Sequence, residues 1–397
     1  MRVLFTTVAG TGHFHPLVPT ARALQQAGHE VAFAVAASFA PTVEASGFRV
    51  LPAGMDFSQL GLGDVQHIQK RQAEMLKAGM EERLKMMTGM FIDGFARKML
   101  PDLLKVCEEW KPDLIVRENA EFSAPLVGEK LGIPYASIQV GGGMAGGLAK
   151  APFVEKLEPL RAQLRLPADP ELQSMFRYLH LSFMPASYFG GMLPPTTRYF
   201  KLTVFDQSGK ERLPDWVSSL GGRPVVYATL GTVFNKLIHH LRTIAEGLRD
   251  EPLELIVTVG RDQDPAQLGP QPPNVHVERY IPQSLLLPKV NLAIMHGGYN
   301  SVMSALASGT PMIIVPLAAD QPMNAQTCAR LGVAEVVMPD DLTPELIRQR
   351  VREMLKNEGA RVIARRFQEE SEALPGMDQA VALLEKLARE KKPVTAG

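Results

Sequence analysis

Four short stretches gather side chains able to do chemistry. In Gly10-Thr11-Gly12-His13-Phe14-His15-Pro16, an imidazole follows an apolar, β-branched run. Imidazole titrates near neutral pH, so His13 at the carboxyl end of a strand can serve as a general base. A dinucleotide fingerprint needs a third glycine where His15 stands, so dinucleotide binding is not expected. In Met295-His296-Gly297-Gly298-Tyr299-Asn300-Ser301, bare glycines precede a polar helix start. Backbone N–H groups and the positive end of a helix dipole make this a phosphate cradle without a Walker lysine, and His296 and Ser301 add side-chain donors. In Ala319-Asp320-Gln321-Pro322-Met323-Asn324-Ala325, adjacent Asp and Gln offer acceptors and donors suited to sugar hydroxyls. In Arg279-Tyr280-Ile281-Pro282-Gln283, an aromatic beside a turn can stack a nucleobase. Taken singly, each stretch also fits a bland role: a loop hydrogen bond, a helix cap or a core tyrosine.

These stretches need strands and helices to place them. Val3 to Val8 reads as a strand, Pro16 suits a first helical turn, and Leu17, Ala21 and Leu24 recur at helical spacing before Gly28. Glu30 to Ala36 completes a βαβ unit, which implies a parallel sheet. Residues 55–110 read as long helices that hold Met55, Met75, Met80, Met86, Met87, Met90 and Met99. Leu114–Val116 and Tyr135–Val140 are further strands, the second leading into the glycine loop Gly141–Gly147. Residues 150–195 read as helical and irregular. The polar Asp206-Gln207-Ser208-Gly209-Lys210 looks like a linker. Pro224–Thr232 then opens a second βα array, with strands at Leu255–Val259, Val275–Val277, Leu292–Met295 and Met312–Val315. Glu369–Lys392 reads as one or two helices with a mobile tail. The expected layout is a first domain over 1–205, a linker over 206–222, a second domain over 223–375 and a C-terminal helix and tail over 376–397.

At 397 residues, two domains are expected, since single cores rarely grow past about 250–300 residues. Apolar residues make up 46% and charged ones 21%, which excludes wholesale disorder. The 42 basic residues balance the 42 acidic ones, so no nucleic-acid partner is expected. No apolar run is long enough to span a bilayer, and the start lacks a signal-peptide core. Cys107 and Cys328 provide neither a disulfide framework nor metal spacing. A cytoplasmic protein without membrane partner or metal is expected.

Together the four signatures resemble the inverting, nucleotide-sugar-dependent glycosyltransferases of the GT-B fold, and most of all the bacterial natural-product enzymes that act on macrolides, enediynes and polyketides. The resemblance is strongest over Gly12–Pro16 and from Tyr280 to Asn324. It implies an α/β protein of two Rossmann-like domains facing across a cleft, with the acceptor mainly on the first domain and the nucleotide sugar mainly on the second. It further implies a C-terminal helix crossing back to the first domain. By resemblance His13 is the general base and Gly12 belongs to the donor site. A carboxylate orients such a base, and Glu118 is the candidate, with Glu121 and Asn119 as alternatives. His296, Gly298, Asn300, Ser301 and Thr232 would hold the diphosphate, Tyr280 and Ile281 the base, Gln283 the ribose, and Asp320 and Gln321 the sugar. Plant members carry a glutamate on the ribose three residues after the Asn-Ser pair, where this chain has Ser304, which points to a dTDP-sugar or to tolerance of both dTDP and UDP. No cofactor is expected beyond this nucleotide-sugar co-substrate. The Met-rich 55–99 segment and the glycine loop would form an adaptable apolar pocket for a small hydrophobic aglycone. A homodimer stays open as the oligomeric state. Two other readings stand beside this one: a non-catalytic helper of another glycosyltransferase, and a different GT-B sugar-nucleotide enzyme.

Overall fold

The computed structural model describes residues 1–60, 79–141, 150–191, 193–205, 212–231, 238–261 and 263–394. The chain divides into two units, Met1–Ser208 with Leu374–Gly397, and Gly209–Ala373.

The first unit is built on seven strands: β1 (Arg2–Thr6), β2 (Glu30–Val35), β3 (Arg49–Pro52), β4 (Leu114–Glu118), β5 (Tyr135–Ile138), β6 (Leu179–Ser182) and β7 (Thr197–Tyr199). They form one sheet in the order β3-β2-β1-β4-β5-β6-β7, and every pairing is parallel. Helices cover both faces of such a sheet, which is why the central strands read as unbroken apolar runs. The chain lays β2 and β3 on one side of β1 and then crosses over to place β4 on the other. In an open α/β sheet, ligands bind beyond the carboxyl ends of the two strands at such a switch point. His13 follows β1, and Glu118 ends β4.

The second unit repeats the plan with β8 (Val225–Thr229), β9 (Glu254–Thr258), β10 (Val275–Glu278), β11 (Leu292–Met295), β12 (Met312–Ile314) and β13 (Ala334–Val336). Their order is β10-β9-β8-β11-β12-β13, again all parallel. Its switch point lies between β8 and β11, where Gly231 and His296 emerge. Both units are Rossmann-like.

Several elements differ from the sequence reading. Residues 150–195 hold a full strand, β6, which its pattern hides. His180 interrupts the four-residue Leu179–Ser182 run and is accommodated only because Ser137 Oγ bonds its Nδ1 at 2.7 Å and Gln139 Oε1 its Nε2 at 2.8 Å. The strands β3, β7 and β13 are too short to show a period. In the methionine-rich region, Gly89–Ala96 forms a π-helix. Met75, residues 142–147 of the glycine loop and residues 206–211 of the expected linker lie outside the described residues.

The helix Met377–Glu390 belongs to the first unit. Its Ala380, Val381, Leu384 and Leu387 join the core that also holds Val3, Phe5, Leu17 and Leu24. Glu385 Oε1 meets His29 Nε2 at 2.8 Å, and Arg198 Nη2 donates to the Val394 carbonyl at 2.8 Å. No helix of the described residues is long and apolar enough to cross a membrane.

Candidate active site

In the first unit, parallel pairing puts Thr6 opposite Arg117, so the ends of β1 and β4 are neighbours. The chain leaves β1 and forms a single helical turn, Thr11–Phe14, that carries His13. This brings together two residues 105 positions apart: His13 Nδ1 lies 3.1 Å from Glu118 Oε1. The Glu118 side chain has no solvent exposure, while that of His13 keeps 22%. The second carboxylate oxygen, Oε2, accepts the Ala120 N–H at 2.5 Å. Both oxygens are therefore engaged, and the carboxylate has one orientation. With Nδ1–H donated to a carboxylate, the ring lone pair sits on Nε2, the tautomer required of a base. The alternatives are committed elsewhere. Glu121 accepts from Thr6 Oγ1 at 2.8 Å, Ser123 N at 2.6 Å, Ala124 N at 3.1 Å and the Ser123 hydroxyl. Asn119 Oδ1 accepts from Val140 N at 2.8 Å. His15 is half-buried, edge-on to Phe205 with ring centres 5.2 Å apart, and desolvation pushes its pKa down to about 4.

Phe91, on the π-helix, has its ring 5.8 Å from that of His13, and Phe57 lies at 6.4 Å. Phe91 also lines a small apolar recess with Met55, Phe95, Met99 and Phe122. Sequence reasoning missed Phe91, because a π-helix has no periodic signal of its own; such turns recur at functional sites.

In the second unit, β11 delivers His296 straight into the glycine pair. The ring fits a slot made of residues without side chains. A Cβ on Gly231 would come within 2.6 Å of His296 Cε1, and one on Gly298 within 2.6 Å of Nε2. Gly297 has φ +83°, and a Cβ there would meet Ile314 Cγ2 at 2.6 Å. Burial pushes the His296 pKa down to about 4, so the ring is neutral at pH 7. Its Nδ1 is buried with no hydrogen-bond partner among the described residues, which suits a group that meets a ligand. Gly298 caps the helix Tyr299–Ala307, which also carries Asn300 and the buried Ser301. The start of that helix presents backbone N–H donors to an anion. Ser304 Oγ donates to the Asn300 carbonyl at 2.8 Å.

One residue ties the glycine loop to the Asp-Gln turn. Asn324 Nδ2 donates to the Gly297 carbonyl and to Asp320 Oδ2, each at 2.9 Å. Asp320 stands four residues before Asn324 at the start of the helix Gln321–Leu331, so helical spacing aligns the pair. That spacing is the signal by which Asn324 could have been assigned. Gln321 is buried, and its Oε1 accepts from Leu317 N at 2.7 Å and Ala318 N at 2.9 Å. The turn is strained, with Ala319 at φ +55°. Tyr280 and Ile281 follow β10, three strand steps or about 14 Å from β11, the scale over which a nucleotide extends. The Arg261 guanidinium lies 4.1 Å over the Tyr280 ring, and Ile281 is buried. Gln283 Nε2 is 3.4 Å from the Tyr227 hydroxyl. Gly12 lies on the His13 turn, in the first unit. Thr232 lies outside the described residues. Among the described residues no group of His, Cys, Asp and Glu could hold a metal ion.

The second array, residues 206–391, matches the family model of UDP-glucuronosyl and UDP-glucosyl transferases. Residues 22–175 match the N-terminal domain of erythromycin biosynthesis protein CIII-like proteins. The chain is 30% identical to 4'-demethylrebeccamycin synthase of Lentzea aerocolonigenes, over 97% of this chain and 99% of that one. It is 28% identical to the aclacinomycin-T 2-deoxy-L-fucose transferase of Streptomyces galilaeus, over 99% of this chain and 97% of that one. The crystal structure of the glycosyltransferase VinC in complex with dTDP superposes with a TM-score of 0.78 at 23% identity, covering 98% and 100% of the two chains. The fold is therefore GT-B, and the protein is a glycosyltransferase. It belongs to the bacterial natural-product glycosyltransferases.

Proposed function

We propose that this enzyme moves a sugar, with inversion and without a metal ion, from a dTDP- or UDP-sugar to a hydroxyl of a small apolar natural-product aglycone. The observation that carries this reading is the buried Glu118 carboxylate fixed on His13 Nδ1 at 3.1 Å. His13 Nε2 takes the hydroxyl proton as the acceptor oxygen bonds to the anomeric carbon. The bond from that carbon to the diphosphate oxygen breaks, and its electron pair leaves with the nucleoside diphosphate. Glu118 steadies the imidazolium so formed. His296, the backbone at Gly298, Asn300 and Ser301 stabilise the departing charge electrostatically. Tyr280, Ile281 and Gln283 hold the nucleoside, and Asp320 and Gln321 the sugar hydroxyls. The Phe91 and Phe57 rings beside His13 offer apolar contact to an acceptor. The names of the relatives, a 4'-demethylrebeccamycin synthase and an aclacinomycin-T 2-deoxy-L-fucose transferase, support that acceptor class. Ser304, whose hydroxyl is spent on its own helix, leaves the ribose diol without a carboxylate and favours a dTDP donor.

The test is a metal-free screen of dTDP-glucose and UDP-glucose, with chelator present. One acceptor is 4-nitrophenolate, already ionised; the others are alicyclic secondary alcohols, which need a base. Turnover with inverted anomeric configuration is expected. His13→Ala should cost alcohol acceptors about 10²-fold or more in kcat and nitrophenolate far less. Equal losses on both acceptor types would refute His13 as base. No turnover, together with no binding of either nucleotide, would refute the transferase reading and leave the helper role.

A further inference from the structure

The proposed mechanism leaves a fully buried guanidinium unused. Arg117 precedes Glu118 on β4, and its side chain has no solvent exposure. A guanidinium cannot shed its proton at physiological pH, so a fully buried one must be solvated by the protein. No carboxylate among the described residues forms an ion pair with it. Main-chain carbonyls hold it, and the nearby buried charges of Glu121 and Glu118 add Coulombic stabilisation. Nη1 donates to the carbonyls of Glu118 at 3.3 Å, Asn119 at 2.9 Å and Glu121 at 2.8 Å. Nη2 donates to the Met175 carbonyl at 2.6 Å. The guanidinium also lies 5.4 Å over the Phe176 ring.

The geometry is that of a strut. At one end it gathers the carbonyls of the turn after β4, the same turn whose Ala120 N–H holds Glu118 Oε2. At the other end it reaches a segment that is itself pinned. Tyr135 donates its hydroxyl to the Ser174 carbonyl at 2.5 Å, and Asp169 accepts Ser174 N at 2.8 Å and its hydroxyl at 2.6 Å. The turn thus borrows its rigidity from residues 173–176. The span needs a planar fork, which arginine has and lysine lacks.

We propose that Arg117 is a positioning residue: by bonding the carbonyls of Glu118, Asn119, Glu121 and Met175 together, it fixes the turn that aims Glu118 at His13. This rests on the reading of His13 and Glu118 as the base and its orienting partner. Arg117 touches no substrate and acts through Glu118.

The test uses the full-length enzyme, dTDP-glucose as donor, and the two acceptor types above. Arg117→Lys keeps the charge and loses the fork. It should lower kcat at least tenfold for the secondary alcohol and less than threefold for 4-nitrophenolate, with the dTDP Kd unchanged within twofold. In a Glu118→Gln background the same substitution should change alcohol kcat less than twofold. Should Arg117→Lys fail to fold, Phe176→Leu leaves the arginine in place and removes its stacking partner, along with the edge contact to His180. It should give the same selective pattern at two- to fivefold. Equal losses on both acceptors, or the same loss with and without Glu118, would mean that Arg117 matters for folding alone and would overturn the proposal. If Glu118→Gln by itself spares alcohol turnover, the reading of the dyad fails first, and the proposal with it.

Discussion

At the residue scale, the proposed chemistry depends on one tautomer of His13. Glu118 needs an acceptor oxygen at both ends, one for His13 Nδ1–H and one for the Ala120 N–H. An amide has only one oxygen. In Glu118→Gln, either the Ala120 bond is lost or an NH2 group faces Nδ1 and forces the ring to carry its proton on Nε2. Kcat for alcohol acceptors should fall by about 10²–10⁴-fold, with nucleotide Kd unchanged. Glu118→Asp keeps the charge and shortens the reach, so it should recover part of that loss. Steady-state kinetics beside a dTDP titration decide it, and an unaltered alcohol kcat in Glu118→Gln would exclude the orienting role.

At the element scale, glycines and buried histidines carry separate predictions. The His296 slot exists because Gly231 and Gly298 have no Cβ. Gly231 also sits at φ +74°, where a side chain adds about 1–2 kcal/mol of backbone strain. Gly231→Ala should push the imidazole aside and weaken dTDP at least tenfold in calorimetric titration while the protein stays folded. Unchanged affinity would show that the ring position does not matter to the nucleotide. In the first unit, burial pushes the His180 pKa down to about 3, with Arg117 adding to the effect. The unfolded chain carries that imidazole near its ordinary value of 6.5, so on acidification the unfolded state takes up the proton first. The histidine's contribution is complete above pH 6.5 and falls as pH drops toward 3. Between pH 6.5 and 5 the loss is about 2 kcal/mol from this group. His180→Gln should therefore flatten the acid side of the stability profile in denaturant unfolding at pH 5, 6 and 7. An equally steep slope in the variant would assign the acid sensitivity elsewhere.

At the scale of the whole molecule, the first unit is discontinuous in sequence. Leu384 and Leu387, near the end of the chain, are fully buried in the same core as Phe5 and Leu17. Leu384→Ala should cost about 2–5 kcal/mol of stability. The loss should appear in the unfolding of the first unit and leave the dTDP binding proposed for the second unit intact near room temperature. Thermal scans with and without dTDP separate the two, and a variant that loses nucleotide affinity at full secondary structure would contradict the division. The same reasoning predicts that a fragment ending near residue 208 exposes the apolar surface that this helix covers.

Local chemistry made much of this protein legible in one dimension. Parallel strands buried on both faces write themselves as apolar β-branched runs, and the glycine loops after β1 and β11 mark where those strands end. That was enough to read two Rossmann-like arrays and to single out His13 and the His296 loop as candidates. Short elements such as β6, β7 and β13 escaped because three or four residues cannot display a period, and His180 hides β6 until its partners on β5 are known. The sequence reading put Glu118 first but left Asn119 and Glu121 open as alternatives. All three lie within one turn, and only the register of β4 on β1, with the bonds that claim Glu121 and Asn119, decided which side chain faces the histidine. The roles of Arg117, Gly231 and Asn324 have the same origin. Each depends on what a group meets across a gap of many residues, and such distances are set by tertiary packing rather than by neighbours in the chain.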